Sequence, residues 1–355
     1  MIKKKYKYLL VLILIGYVAQ SISQEPLKVA FLYQHPVNAG GWSLSHEQGR
    51  LDAENEFGDK IITIALEGIQ PGPDTRRTLI NLARENYELI FATSFGHMNS
   101  VMKVARSFPQ ISFQHASGYK TANNVGTYQI RAMQGRYLAG KIAGHMSTSK
   151  KIGYVASFPI PEVIRGINAF TLGAQAANPD VTIQAIWINS WMNAAKEREA
   201  TELLINLGAD VITHHTETPA LMVAAEEAGV WAVGYQYDRS QFAPNSHLVT
   251  IEHNWGPIYN SIIRDKLEGN WKSESLWFGV DLDATRLVSI SPKVPSSILS
   301  DIEEIRTQMA NKTFNIFKGP IIDIEGKTRL GRDQTLKDED LIGMEWFVKG
   351  VINAD

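Results

Sequence analysis

Short apolar runs rich in β-branched and aromatic residues alternate along this chain with longer stretches whose apolar positions recur every three or four residues. The runs LKVAFLY from Leu27, KIITIAL from Lys60, ELIFA from Glu88 and ISFQHA from Ile111 have the length and composition of strands. The periodic stretches between them predict helices over 43–57, 75–87 and 99–107. The pattern then starts again. A helix over 132–146, strand KIGYVAS, a helix over 161–177, strand VTIQAIWI, a helix over 194–207, strand ADVIT, a helix over 219–228 and strands VWAVGY and HLVTIE follow, with a helix over 257–267. Strand and helix in strict alternation argue for βαβ units and parallel sheets. From residue 294 onward the patterning is less regular; a strand is expected in FNIFKGPIID, and the final apolar segment GMEWFVKGVIN is expected to pack on the body of the protein.

Two copies of one α/β pattern with no Pro/Gly/Ser tether between them predict two lobes joined by a hinge that the chain crosses more than once. The expected division is 24–126 plus 253–272 for the first lobe and 127–252 plus 273–355 for the second. Ahead of both stands a different kind of segment. Residues 1–23 carry Lys3, Lys4, Lys5 and Lys7, then an apolar core, then small residues, which is the layout of a secretory signal peptide. The chain has no cysteine, so neither a lipid-attachment cysteine nor a disulfide is available. A freely diffusing periplasmic protein is expected.

Loss of the leader leaves 31 basic against 37 acidic side chains, a poor balance for binding nucleic acid. Candidate chemistry gathers instead where strands run into loops, the place where open α/β sheets bind ligands. Six such ends carry Trp42, Phe95, Phe158, Tyr235, Tyr237 and Trp255. Aromatic rings beside hydrogen-bonding groups suit a flat heterocycle, stacked on its faces and read along its edge. Asp238 fits the role of an acceptor for ring or exocyclic N–H groups.

Catalytic readings are weaker. Ser45, His46 and Glu47 are consecutive, so on a helix they point around the axis and not toward one another; Ser43 is expected to cap that helix, with His46 at its third position. HEQGR lacks the second histidine of an HExxH zinc site. His214 and His215 are adjacent with no third ligand near in sequence, so no metal is expected. No glycine-rich phosphate loop follows the first strand, and no cofactor is expected.

Taken in order, GGWSLSHEQGR, SFGHM, QHASGYKT, GRYLAGKIAG, ASFPIPEVIRGINAFTLGA, HHTETPALMVA, GYQYD, HNWGPIY and the closing FKGPIIDIEGKTRLGRDQTLKDEDLIGMEWFVKGV resemble the basic membrane protein family of ABC-transporter substrate-binding proteins. The resemblance implies a type I periplasmic-binding-protein fold, no enzymatic activity, a monomer, and delivery of a purine to an inner-membrane permease. Nucleoside-binding members carry an acidic residue before the first aromatic, an aspartate in a GVDxD loop and a ribose-holding lysine. This chain has Ala39, Gly40 and Gly41 before Trp42, Gln236 in GYQYD, and His253 and Asn254 in place of the lysine. These departures resemble the branch that takes a free base, with adenine the leading candidate. Carried over, Trp42 and Phe95 stack on the ring from the first lobe and Phe158 closes from the second. His215, Thr216, Gln236 and Asp238 read the polar edge, Trp255 walls the cleft, and Ser94, Gly96 and Pro161 complete the expected ligand-binding set. The rival readings are a nucleoside receptor, a secreted nucleosidase using Asp238 and Glu162, and a sensor module signalling to a membrane partner.

Overall fold

Strands β1 (Leu27–Leu32), β2 (Ile61–Leu66), β3 (Leu89–Ala92), β4 (Ser112–Ala116) and β5 (Val125–Ile130) form most of the first sheet in a computed structural model that describes residues 25–352. The expected leader lies outside the described residues. The second sheet is built from β6 (Lys151–Ala156), β7 (Thr182–Trp187), β8 (Val211–His214), β9 (Trp231–Gln236) and β10 (His247–His253). Each sheet then gains one strand after the chain has crossed back: β11 (Ser275–Phe278) lies beside β5, and β12 (Thr285–Val288) lies beside β10. The orders are β11-β5-β4-β3-β1-β2 and β12-β10-β9-β8-β6-β7, extended at the β7 edge by β15 (Val351–Ile352). Pairing is parallel throughout except for β12 on β10. Two lobes of one topology result, as the repeated pattern predicts.

Helices cover both faces of each sheet, so the strands are buried on both sides and read as continuous apolar runs. Helix α1 (Gly41–Phe57) lies against α8 (Gly256–Leu267), while α2 (Pro73–Arg84) and α3 (Met98–Ala105) cover the other face of the first sheet. In the second lobe α4 (Ala132–Met146) and α5 (Pro161–Ala177) cover one face, and α6 (Ala194–Asn206) and α7 (Ala220–Ala228) the other. Both α4 and α5 have the bounds that their periodicity predicts.

Four expectations need correction. Strands β5 and β11 belong to the first sheet, so the chain crosses near residues 131, 254 and 279; boundaries at 126 and 272 would have moved both strands to the other lobe. VGTYQI was not expected as a strand because its buried positions include Thr127 and Gln129, which satisfy their polar groups through Ser275 and the Gly118 carbonyl. The tail contains a full helix, α9 (Ser296–Ala310), which turns Ile302, Ile305 and Met309 onto α4. In FNIFKGPIID only β13 (Ile321–Ile322) is strand, paired antiparallel with β14 (Thr328–Leu330). The closing segment, which follows the short helix α10 (Asp338–Ile342), does pack on the second lobe, burying Met344, Phe347, Val348 and Val351.

Helices α4 and α5 touch backbone to backbone. A Cβ on Gly173 would stand 2.0 Å from the Tyr137 carbonyl oxygen, and one on Gly140 would stand 2.2 Å from that of Phe170. Backbone cannot yield cheaply there, so steric cost outweighs the gain in helix propensity that replacing a helical glycine normally brings. We expect Gly173→Ala to lower stability by about 1–3 kcal/mol in urea unfolding; unchanged or higher stability would contradict this packing.

Candidate functional site

The carboxyl ends of the two sheets face one another across the hinge. After β1 the chain turns through Gly40 and Gly41, both at positive φ (86° and 63°). These residues touch the second lobe: a Cβ on Gly41 would lie 2.8 Å from Glu217 Cβ, and one on Gly40 2.8 Å from Arg239 Nη2. Only glycine meets both demands, left-handed backbone and close approach. Helix α1 therefore starts at Gly41, not after a Ser43 cap; Ser43 lies inside its first turn with a buried hydroxyl that finds no partner.

Between the lobes lies a narrow cavity of about 30 Å³ lined by Gln34, Trp42, Ser94, Phe95 and Ser117 from the first lobe. Glu162, Trp191, His215, Glu217 and Gln236 line it from the second. Beside it opens a larger space of about 350 Å³ that shares Phe95, Ser117 and Glu162 and adds Tyr119, Pro161 and Arg165. Trp42 is fixed by donating its indole N–H to the Thr93 carbonyl and by edge contacts with Trp255 at 5.2 Å and His46 at 4.6 Å. Ser94 donates its hydroxyl to Gln34. Trp191 packs against Phe158 at 5.2 Å.

Five of the expected ligand residues thus meet in one cavity: Trp42, Ser94, Phe95, His215 and Gln236; Pro161 lines the space beside it. Phe158 stands one ring back, behind Trp191. Trp255 does not wall the cleft. It is buried in the first lobe's core, stacked on His46 at 4.0 Å and donating to Ser45 Oγ. Asp238 is turned away, accepting from the Ser240 amide at 2.9 Å and from the Ser289 hydroxyl. Thr216 is buried beside His214, 3.0 Å from its Nδ1. Gly96 is exposed and rests on Pro71. Sequence reasoning missed Gln34, Ser117, Trp191 and Glu217 as lining residues. Glu217 sat in the quoted HHTETP, where its position just past β8 was the available signal.

Ser45, His46 and Glu47 make separate contacts, as their consecutive places on a helix require: Ser45 donates to the Trp42 carbonyl, His46 pairs with Tyr259, and Glu47 accepts from Tyr33 and Arg50. Among the described residues no three His, Cys, Asp or Glu side chains are grouped to hold a metal ion.

Burial sets the electrostatics of the second lobe's side. It drives the His215 and His214 imidazoles well below their ordinary values, with Arg136 adding to the effect on both. Burial and Arg136 push His253 down to about 3. These rings are neutral hydrogen-bonding groups near pH 7. Glu162 is raised by burial, against the opposing charges of Arg165 and Arg136. His35 behaves differently, because its Nδ1 meets Glu217 of the other lobe at 3.0 Å. Burial alone would lower it, but the hydrogen bond and the charge of Glu217 hold it above the ordinary value.

The comparisons with known proteins agree with this architecture. Residues 27–319 match the model of a family described as Bmp, ABC transporter substrate-binding protein PnrA-like. A purine-binding protein of Brucella abortus is 39% identical over 329 residues, covering 93% of this chain and 94% of that protein. A putative ABC transporter glucose-binding protein of Haloferax volcanii is 33% identical over 327 residues, covering 92% and 81%. The crystal structure of an ABC transporter solute-binding protein from Aeropyrum pernix superposes with a TM-score of 0.69 at 16% identity, over 89% of this chain and 95% of that one.

The His35–Glu217 contact links the lobes to pH. Pairing raises His35 only when the lobes are together, so it favours the closed form fully below the ordinary histidine value, and this contribution disappears as pH rises through the raised one. We expect the closed fraction, followed by interlobe fluorescence transfer, to fall between about pH 6 and 8, and His35→Gln to flatten that dependence. An identical slope in the variant would remove the pair as a pH-linked contact.

Proposed function

Since the chain belongs to the Bmp family of PnrA-like ABC transporter substrate-binding proteins, we propose that its ligand is a purine base, adenine foremost, held between the lobes and handed to a membrane permease. Three aromatic rings, Trp42, Phe95 and Trp191, on one narrow cleft carry this reading. Each stacked ring contributes about 0.5–1.5 kcal/mol beyond area burial. Gln34, Gln236 and His215 supply amide and imidazole groups able to donate to or accept from the base edge, and Glu162 adds a carboxyl beside Ser117. The cavity of about 30 Å³ holds only a few waters. A bicyclic base therefore requires the lobes to part and close again over the region where Phe95, Ser117 and Glu162 also line the larger space.

Binding then works as a population shift. Ligand touches both lobes only when they are together, and its differential affinity moves the open and closed forms. The closed form is the species the permease reads. The protein acts outside the cytoplasmic membrane as a monomer and leaves its ligand chemically unchanged. Among the described residues no helix is long and apolar enough to cross a membrane.

A sugar is the second reading, favoured by the Haloferax relative's name and by the carboxylates Glu162 and Glu217 on the lining. Calorimetry with adenine, other bases, adenosine and glucose separates the two. We expect a base to bind, and Trp42→Ala to weaken it more than tenfold, a loss above about 1.4 kcal/mol, with the fold retained by circular dichroism. Binding of glucose alone, or a base affinity untouched by Trp42→Ala, would overturn the reading.

A further inference from the structure

The larger space beside the cleft takes its outer side from an addition to the fold. The match to the family model ends at residue 319, yet the chain beyond it returns to the interlobe region, where Ile342, Gly343 and Glu345 line the space of about 350 Å³. Two buried side chains of α5 fix that segment. Arg165 donates from Nη1 to the Leu341 carbonyl at 2.7 Å. Asn168 donates to the Trp346 carbonyl at 2.8 Å and accepts from the Val348 amide at 3.0 Å. Residues 342–345 therefore form a wall held at both ends.

The facing wall belongs to the first lobe. Phe95 and Tyr119 lie side by side on the loops that follow β3 and β4, their ring centroids 6.4 Å apart. Gln129 pins the second loop by donating to the Gly118 carbonyl at 3.1 Å. Tyr119 is nevertheless 54% exposed, a fixed ring with one side left open. With Ile160, Pro161 and Ile342 across from these rings, the surface of the space is mainly apolar. Arg165, the cation on it, is committed to the Leu341 carbonyl and lies 4.8 Å over the Trp277 ring. The space and the cleft share Phe95, Ser117 and Glu162. A ligand in the cleft that turns one edge toward these residues points that edge into the larger space. At about 350 Å³ this space has the size of a whole small-molecule site, far more than an amino or oxo group on a ring needs.

We propose that the larger space is a second subsite, which receives an apolar substituent carried by the ring in the cleft, so that the ligand class extends to purine bases bearing an alkyl or aryl group. This rests on the base reading of the cleft. The tail supplies the far wall of the subsite, and Phe95 is common to both parts, touching ring and substituent. A ribose suits the same space less well, because hydroxyls placed against an apolar surface lose hydrogen bonds to water without replacing them.

Calorimetry with adenine, N6-benzyladenine, 9-benzyladenine and adenosine provides the test, the two benzyl isomers carrying the same ring at opposite ends of the base. We expect adenine to bind, one benzyl isomer to bind about tenfold more tightly through the apolar area it buries, and adenosine to bind more weakly than that isomer. Ile342→Asp, which puts a charge on the apolar wall, should abolish the difference between that isomer and adenine. Gly343→Trp gives the same readout if Ile342→Asp does not fold: a Cβ there meets nothing within 4 Å and its φ of −104° suits any residue, so the added ring narrows the space without a clash. Adenine binding with neither benzyl isomer tighter than adenine, adenosine tighter than both, or a tenfold gain that both variants leave intact would overturn the subsite and leave the base reading standing. Failure of adenine and of both isomers to bind would overturn the two together.

Discussion

The chain passes between its two sheets three times, near residues 131, 254 and 279, and each sheet takes its last strand from beyond a crossing. Neither lobe can therefore drift away as an independent bead, and neither carries a complete binding surface. Everything that gives the cleft its character follows from this division. The first lobe supplies Trp42 and Phe95 from the ends of β1 and β3, and the second supplies Trp191, His215 and Gln236. The surfaces meet where Gly40 and Gly41 let the first loop lie against Glu217 and Arg239, beside the His35–Glu217 contact. A side chain at Gly41 would press on the Glu217 backbone and hold the lobes apart.

Behind the lining, the two lobes differ in kind. Trp42 is backed by rings: Trp255, His46 and Tyr259 pack on one another in the first core. The second lobe backs its side with polar groups, Arg136 on Tyr235 with His215 and His253 close by. One wall offers a rigid apolar platform and the other offers neutral imidazoles and amides. That asymmetry suits a ligand with flat faces and a polar rim.

Much of this organisation is legible in the sequence because α/β packing leaves a strong pattern. Strands buried on both faces read as apolar runs, and α4 and α5, with small residues spaced for close contact, are delimited to the residue. Legibility fails where burial and polarity part company. Strand β5 buries Thr127 and Gln129 with hydrogen bonds that only the fold supplies, so VGTYQI resembles a loop. Helix α9 has its apolar positions at helical spacing, but they follow a proline-containing segment and precede a strand-like FNIF, and the boundary is lost between them. In the site, position after a strand is a good guide to Trp42, Phe95 and His215. It misleads for Trp255, whose side chain enters the core behind the loop, and for Asp238, whose carboxylate is taken up by its own turn. Gln34 stands two residues past β1 and Trp191 four residues past β7, so the same positional signal marks both.

A purine base is the proposed ligand of the interlobe cleft. Native mass spectrometry of the protein purified without added ligand, followed by identification of the molecule released on denaturation, tests it most directly. A purine base, adenine foremost, is expected in a one-to-one complex that Trp42→Ala fails to retain. Release of a sugar, or of a nucleoside with its ribose intact, would contradict it.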